Sequence, residues 1–91
     1  MVVTFDSAKD VLNIANHGVS LALAEHLEWD YLVCRPDDTR HDYFELRMMG
    51  FAPIEQAVYC VVFVEREDEV LRVISLRKAT RKEVRNYASQ I

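Results

Sequence analysis

The chain has 91 residues, 51% hydrophobic and 29% charged, with two glycines, two prolines and two cysteines. That balance excludes disordered, collagenous and disulfide-stapled classes and leaves one small globular domain over residues 1–91. A net charge of −4 taken whole argues mildly against a nucleic-acid binder, and the longest apolar run, Ala57 to Val64, is far short of the roughly 20 residues that cross a bilayer.

Met1 to Phe5 is apolar and β-branched and reads as a brief strand or extended lead-in; it lacks a signal-peptide pattern, so a cytoplasmic protein without membrane contact is expected. Asp6 or Ser7 caps a helix on which Ala8, Val11, Leu12 and Ala15 recur at helical spacing, and Gly18 stops it. Ser20 caps a second helix, with Leu21, Ala24, Leu27 and Trp29 toward the core. The period then changes. Tyr31 to Cys34 is read as a strand, Pro36-Asp37-Asp38-Thr39 as a turn, and Tyr43 to Gly50 as an alternating strand ending before a turn at Pro53. Ala57 to Glu65 is a continuous β run, expected to be a central strand buried on both faces. Glu67-Asp68-Glu69 turns the chain back into Val70 to Leu76. Thr80 and Glu83 have the spacing of a capping box, opening a last helix to about Ser89 with Val84, Tyr87 and Ala88 as its stripe. The order predicts an α+β fold. Cys34 and Cys60 lie among apolar residues and are expected to be reduced and buried; no CxxC or metal-ligand spacing accompanies them.

Charge is unevenly spread. Residues 72–91 hold six basic residues against Glu83, a balance of +5, which leaves −9 on residues 1–71. An anionic partner for the basic end is one reading and a solvated helix face the other. Arg77 falls where the last strand meets the N-terminus of the last helix, whose free N–H groups favour phosphate. Glu45 and Arg47, two apart on one expected strand face, offer a proton acceptor beside a phosphate clamp, or an ordinary surface ion pair. Glu65-Arg66 is read the same way, and His17 as a helix C-terminal cap.

In order along the chain, Phe5-Asp6-x-x-Lys9 with Asn13, His17-Gly18-Val19-Ser20, Asp38, His41, Glu45-x-Arg47, Gly50, Val61-Val62-Phe63-Val64-Glu65-Arg66 and the run Arg72-Val73-Ile74-Ser75-Leu76-Arg77-Lys78-Ala79, continued by Glu83 and Tyr87, resemble the BrnT family of type II toxin–antitoxin toxins. Asn16 departs from the basic residue that relatives carry before the His-Gly pair. The resemblance implies a RelE-like fold: N-terminal helices on a mainly antiparallel four- to five-stranded sheet, with a C-terminal helix. It implies a metal-free ribonuclease without cofactors, in which the ribose 2′-hydroxyl attacks the adjacent phosphate. Arg77 would be the leading transition-state cation, with Glu45 as base and Arg47 as a second catalytic cation. Arg72, Lys78, Arg81, Glu65 and Tyr87 would hold substrate, with Glu65 the second choice for the base. The partner implied is a ribbon-helix-helix, BrnA-like antitoxin, so that DNA is met only through the antitoxin; a homodimer of the free chain stays open. A non-catalytic relative that only binds such a partner is the alternative.

Overall fold

The computed structural model describes residues 1–37, 45–67 and 69–91. The expected turn at Asp38-Thr39, His41, the Tyr43–Phe44 part of the expected third strand and Asp68 lie outside them. Among the described residues five strands form one sheet in the order β1-β5-β4-β3-β2. They are β1 (Val2–Thr4), β2 (Val33–Pro36), β3 (Met48–Ile54), β4 (Ala57–Glu65) and β5 (Val70–Lys78). Neighbours are antiparallel except β1, which runs parallel to β5. Helix α1 (Ser7–His17) and two short 3-10 helices, Leu21–His26 and Trp29–Tyr31, separate β1 from β2; α2 (Arg81–Ala88) closes the chain.

The core lies between the 3-10 segment and one face of the sheet. Leu21, Ala24 and Leu27 are spaced three apart, the repeat of a 3-10 helix, which stacks i and i+3 on one line. All three are buried against Val61, Phe63, Val73 and Leu76. This corrects the expected second α-helix, which is replaced by 3-10 turns over Leu21–His26 and Trp29–Tyr31. Trp29 packs its ring edge-on to Phe63 at 5.4 Å and donates its indole N–H to the Ala24 carbonyl. β4 is buried on both faces as expected, with Tyr59, Val61 and Phe63 on the core side and Cys60 and Val64 on the other.

Helix α1 meets the sheet with its polar side. Its apolar residues Val11 and Leu12 are 67% and 62% exposed, while Asn13 is the buried one at 5%. Asn13 donates to the carbonyls of Leu76 (2.8 Å) and Val19 (2.9 Å) and accepts from the Leu76 N–H (3.1 Å). β1 covers only Val70–Arg72 of β5, so further along that edge the Asn13 amide satisfies backbone groups as another strand would. Asp10 works alongside it, accepting from the Leu21 N–H (2.7 Å) and the Ser20 hydroxyl (3.0 Å). Gly18 ends α1 at φ 75°, the left-handed cap expected of it.

Three strand boundaries differ from the sequence reading. Tyr31 closes a 3-10 turn and β2 starts at Val33, with Cys34 exposed, not buried. Cys34, on β2, pairs with Gly50 of β3, and β2 is the last strand of the sheet among the described residues. β3 begins at Met48 and runs through Pro53; the turn falls at Glu55-Gln56, with Glu55 at φ 54°. β2 pairs only as far as Phe51, so Pro53 pairs with β4 alone and its missing N–H costs no ladder bond, as for prolines at sheet edges. β5 extends two residues past Leu76.

Candidate active site

Side chains alternate across a strand, so Arg72 and Arg77, five residues apart, would face opposite sides of a regular β5. A bulge prevents this. The register passes from Val62↔Ser75 to Phe63↔Val73, leaving Ile74 as an extra residue. Arg72 then pairs with Val64 and Arg77 with Cys60, four apart on β4, so both arginines share the face opposite the 3-10 core.

At the β4–β5 hairpin end of that face, Glu45 sits among three guanidinium groups. Arg72 donates to its Oε1 at 3.0 Å, Arg66 approaches Oε2 at 3.1 Å, and Arg47 lies 3.9 Å from Oε1. Glu45 and Arg47 precede β3 and do not share a strand, yet they remain side by side. Several guanidinium forks converge at this carboxylate, and such forks match the oxygens of an anionic ligand. In the sequence Arg66 is read only as a neighbour of Glu65, not as a partner of Glu45. It follows Val64 by two residues, and that alternation aims it at the same face as Arg72. Glu65, exposed at the end of β4, lines with Glu45 and Arg66 a cleft of about 270 Å³.

Arg77 belongs to a second cluster, roughly 13 Å further along the sheet, since its partner Cys60 is four residues from Val64 at ~3.3 Å per residue. Its two terminal nitrogens donate to the two carboxylate oxygens of Glu83 at 2.8 and 2.9 Å. Glu83 also accepts from the Thr80 N–H, while its own N–H donates to the Thr80 hydroxyl; this is the capping box read from the sequence. The Arg77 bonds, joined by the Thr80 backbone N–H, push the Glu83 carboxyl down to about 2. Burial pushes the neighbouring Cys60 thiol up. Lys78 and Arg81 are exposed at this strand-to-helix corner. Tyr87 is 4% exposed and donates its hydroxyl to the Tyr31 carbonyl at 2.6 Å, which anchors α2; Val84 and Ala88 of the expected stripe stay exposed.

The sequence-selected residues therefore form two groups at opposite ends of β5, with Arg72 and Arg77 on one sheet face and Glu65 and Lys78, which pair with Leu71 and Tyr59, on the other. Glu45, Arg47, Arg72 and Glu65 gather at the hairpin, and Arg77, Lys78, Arg81 and Tyr87 gather where β5 enters α2. Among the described residues no group of three His, Cys, Asp or Glu side chains is placed to hold a metal ion, and no helix is long and apolar enough to cross a membrane.

A five-stranded, mainly antiparallel sheet carrying arginines on one face, with N-terminal helices and a C-terminal helix, defines a small α+β domain. Residues 5–83 match the model of the family described as the ribonuclease toxin, BrnT, of type II toxin–antitoxin systems, and the chain belongs to that family. It is similar to the Brucella abortus ribonuclease toxin BrnT, solved at 1.1 Å. The two share 28% identity and superpose with a TM-score of 0.63 over 89% of this chain and 99% of that one. No curated relative matches the sequence. Membership in a type II toxin family implies a cognate antitoxin as partner.

Proposed function

We propose that this chain is a metal-independent endoribonuclease whose chemistry is centred on Glu45. The observation that carries the reading is the Glu45 carboxylate set among Arg47, Arg66 and Arg72 on an open sheet face, in a family of ribonuclease toxins. Arg72 and Arg66 hold the non-bridging oxygens of the scissile phosphate, since guanidinium forks match phosphate geometry. Glu45, or Glu65 beside it in the cleft, takes the proton of the ribose 2′-hydroxyl. The 2′-oxygen then bonds to phosphorus as the bond from phosphorus to the 5′-oxygen breaks; that oxygen takes a proton from water and the carboxyl returns its own to solvent, giving a 2′,3′-cyclic phosphate and a 5′-hydroxyl end. Arg47 offsets charge in the pentacoordinate state. Arg77, roughly 13 Å away along the sheet and held by Glu83, is kept from the same phosphate. It serves the strand two or three nucleotides away together with Lys78 and Arg81, and Tyr87 holds the helix that borders them. The antitoxin is of ribbon-helix-helix, BrnA-like type and carries the complex's DNA contacts.

The test is purified, antitoxin-free protein with end-labelled RNA in EDTA. The expected result is cleavage with cyclic-phosphate ends, reduced at least about 100-fold by Glu45→Gln and by Arg72→Ala. Intact RNA, or cleavage that EDTA abolishes, would refute the mechanism. A non-catalytic, antitoxin-binding role is the second reading, favoured by the closed Arg77–Glu83 pair, which leaves that guanidinium charge compensated; RNA intact under all conditions would select it.

A further inference from the structure

A groove of about 240 Å³ runs between α2 and the edge of the sheet, on the same face as the two arginine clusters. Its floor is apolar and aromatic, from Phe51 and Met49 on β3 and Val33 on β2. Its helical rim carries two carboxamides, Asn86 and Gln90, four residues apart and therefore stacked along one side of the chain's last turns. Gln90 donates to the Asn86 carbonyl at 3.2 Å, while the Asn86 side chain makes no hydrogen bond among the described residues. The opposite rim carries Arg35, exposed on β2.

A flat apolar floor, edge groups that both donate and accept, and a flanking cation are what an unpaired nucleobase requires: a surface to stack on, partners for its Watson–Crick edge and a site for its phosphate. A bare phosphate fits less well, because the Glu83 carboxylate also lines the groove. We propose that this groove takes one unpaired base of an RNA strand, stacked on Phe51 and Met49 and read by Asn86 and Gln90, with Arg35 on the flanking phosphate. The proposal rests on the ribonuclease reading and adds to it a subsite for base preference, lying beside Arg77 and away from Glu45.

The test is a titration of the isotope-labelled full chain with each of the four ribonucleoside 5′-monophosphates and with ribose 5-phosphate, followed by NMR. Base-dependent shifts at the Asn86 and Gln90 side-chain amides and the Met49 methyl are expected. They weaken about tenfold in an Asn86→Ala, Gln90→Ala variant, and ribose 5-phosphate is silent at the groove. On RNA that is cut, the same variant raises KM and loses base preference while kcat at saturation holds. A groove that ignores all four nucleotides, that responds equally to ribose 5-phosphate, or that responds only to added antitoxin overturns the proposal. If the wild-type chain does not cut RNA, the catalytic reading falls, and the nucleotide titration still decides the groove separately.

Discussion

Replacing Asn13 by alanine removes the one polar side chain that is buried at the junction of α1, β5 and the Gly18–Ser20 turn. Three hydrogen bonds of 2.8 to 3.1 Å disappear. The Leu76 N–H and C=O then stay buried without partners, because β1 does not reach that part of β5. A net hydrogen bond contributes about 1 kcal/mol, and an orphaned buried group costs about 1 to 3 kcal/mol. Partial water entry at the Val19 carbonyl reduces the sum, so a loss of about 3 kcal/mol is expected. For a chain of this length the total stability is on the order of 5–14 kcal/mol, so the variant gives up a large fraction of it. Urea unfolding followed by circular dichroism measures the effect. With a slope near 1 kcal/mol/M for a small protein, the midpoint falls by about 3 M without a change of slope. Asn13→Asp does no better: it keeps an acceptor for the Leu76 N–H but turns a second acceptor toward two carbonyls. A loss below about 0.5 kcal/mol in Asn13→Ala, the range of an ordinary surface substitution, would refute the idea that this amide completes the sheet edge.

Glu83→Gln tests the helix corner through pH. The Glu83 carboxyl is held at about 2, below its ordinary 4.5, so its contribution is present in full above the unfolded value and is lost as pH falls through about 2. The variant is therefore less stable than the parent by about 1 to 2 kcal/mol at neutral pH, and the two acid-unfolding curves converge in that lower window; a gap independent of pH would count against the ion pair. The two glycines separate strain from space. Gly18→Ala has nothing within 4 Å of the new methyl but must keep φ 75°, a cost of about 1 kcal/mol in thermal or urea unfolding. Gly50→Ala sets a methyl 2.7 Å from the Cys34 Cβ and 3.0 Å from the Val33 carbonyl, so β2 has to shift, at about 1 to 3 kcal/mol; raised labelling of Cys60 by a thiol reagent would report the disturbed sheet. Arg66→Ala, at an exposed position, leaves the urea midpoint within about 0.5 kcal/mol and lowers RNA cleavage to the same extent as Arg72→Ala. Unchanged cleavage would remove Arg66 from the phosphate site.

Local chemistry was legible from the residues alone. The β4 run, the Gly18 stop and the Thr80–Glu83 box all stand where their composition puts them, because each depends on neighbours within a few positions. The family was legible too, through motifs spread in order along the chain. What escaped were features set by distant partners. The apolar spacing of α1 identifies a helix but not the side it turns inward; the unpaired edge of β5 decides that, by demanding an amide at Asn13. Pro53 signals a turn in sequence, and only the short reach of β2 lets it stay inside a strand. The sequence by itself singled out Glu45, Arg47, Arg72 and Arg77 as candidate site residues. The tertiary structure decided their grouping: a one-residue bulge at Ile74 turns Arg72 and Arg77 to one face, the β4–β5 hairpin adds Arg66, and the length of β5 keeps Arg77 with Glu83 and away from Glu45. Alternation and strand length act over tens of ångströms, and neither can be read from a pair of residues until register is known.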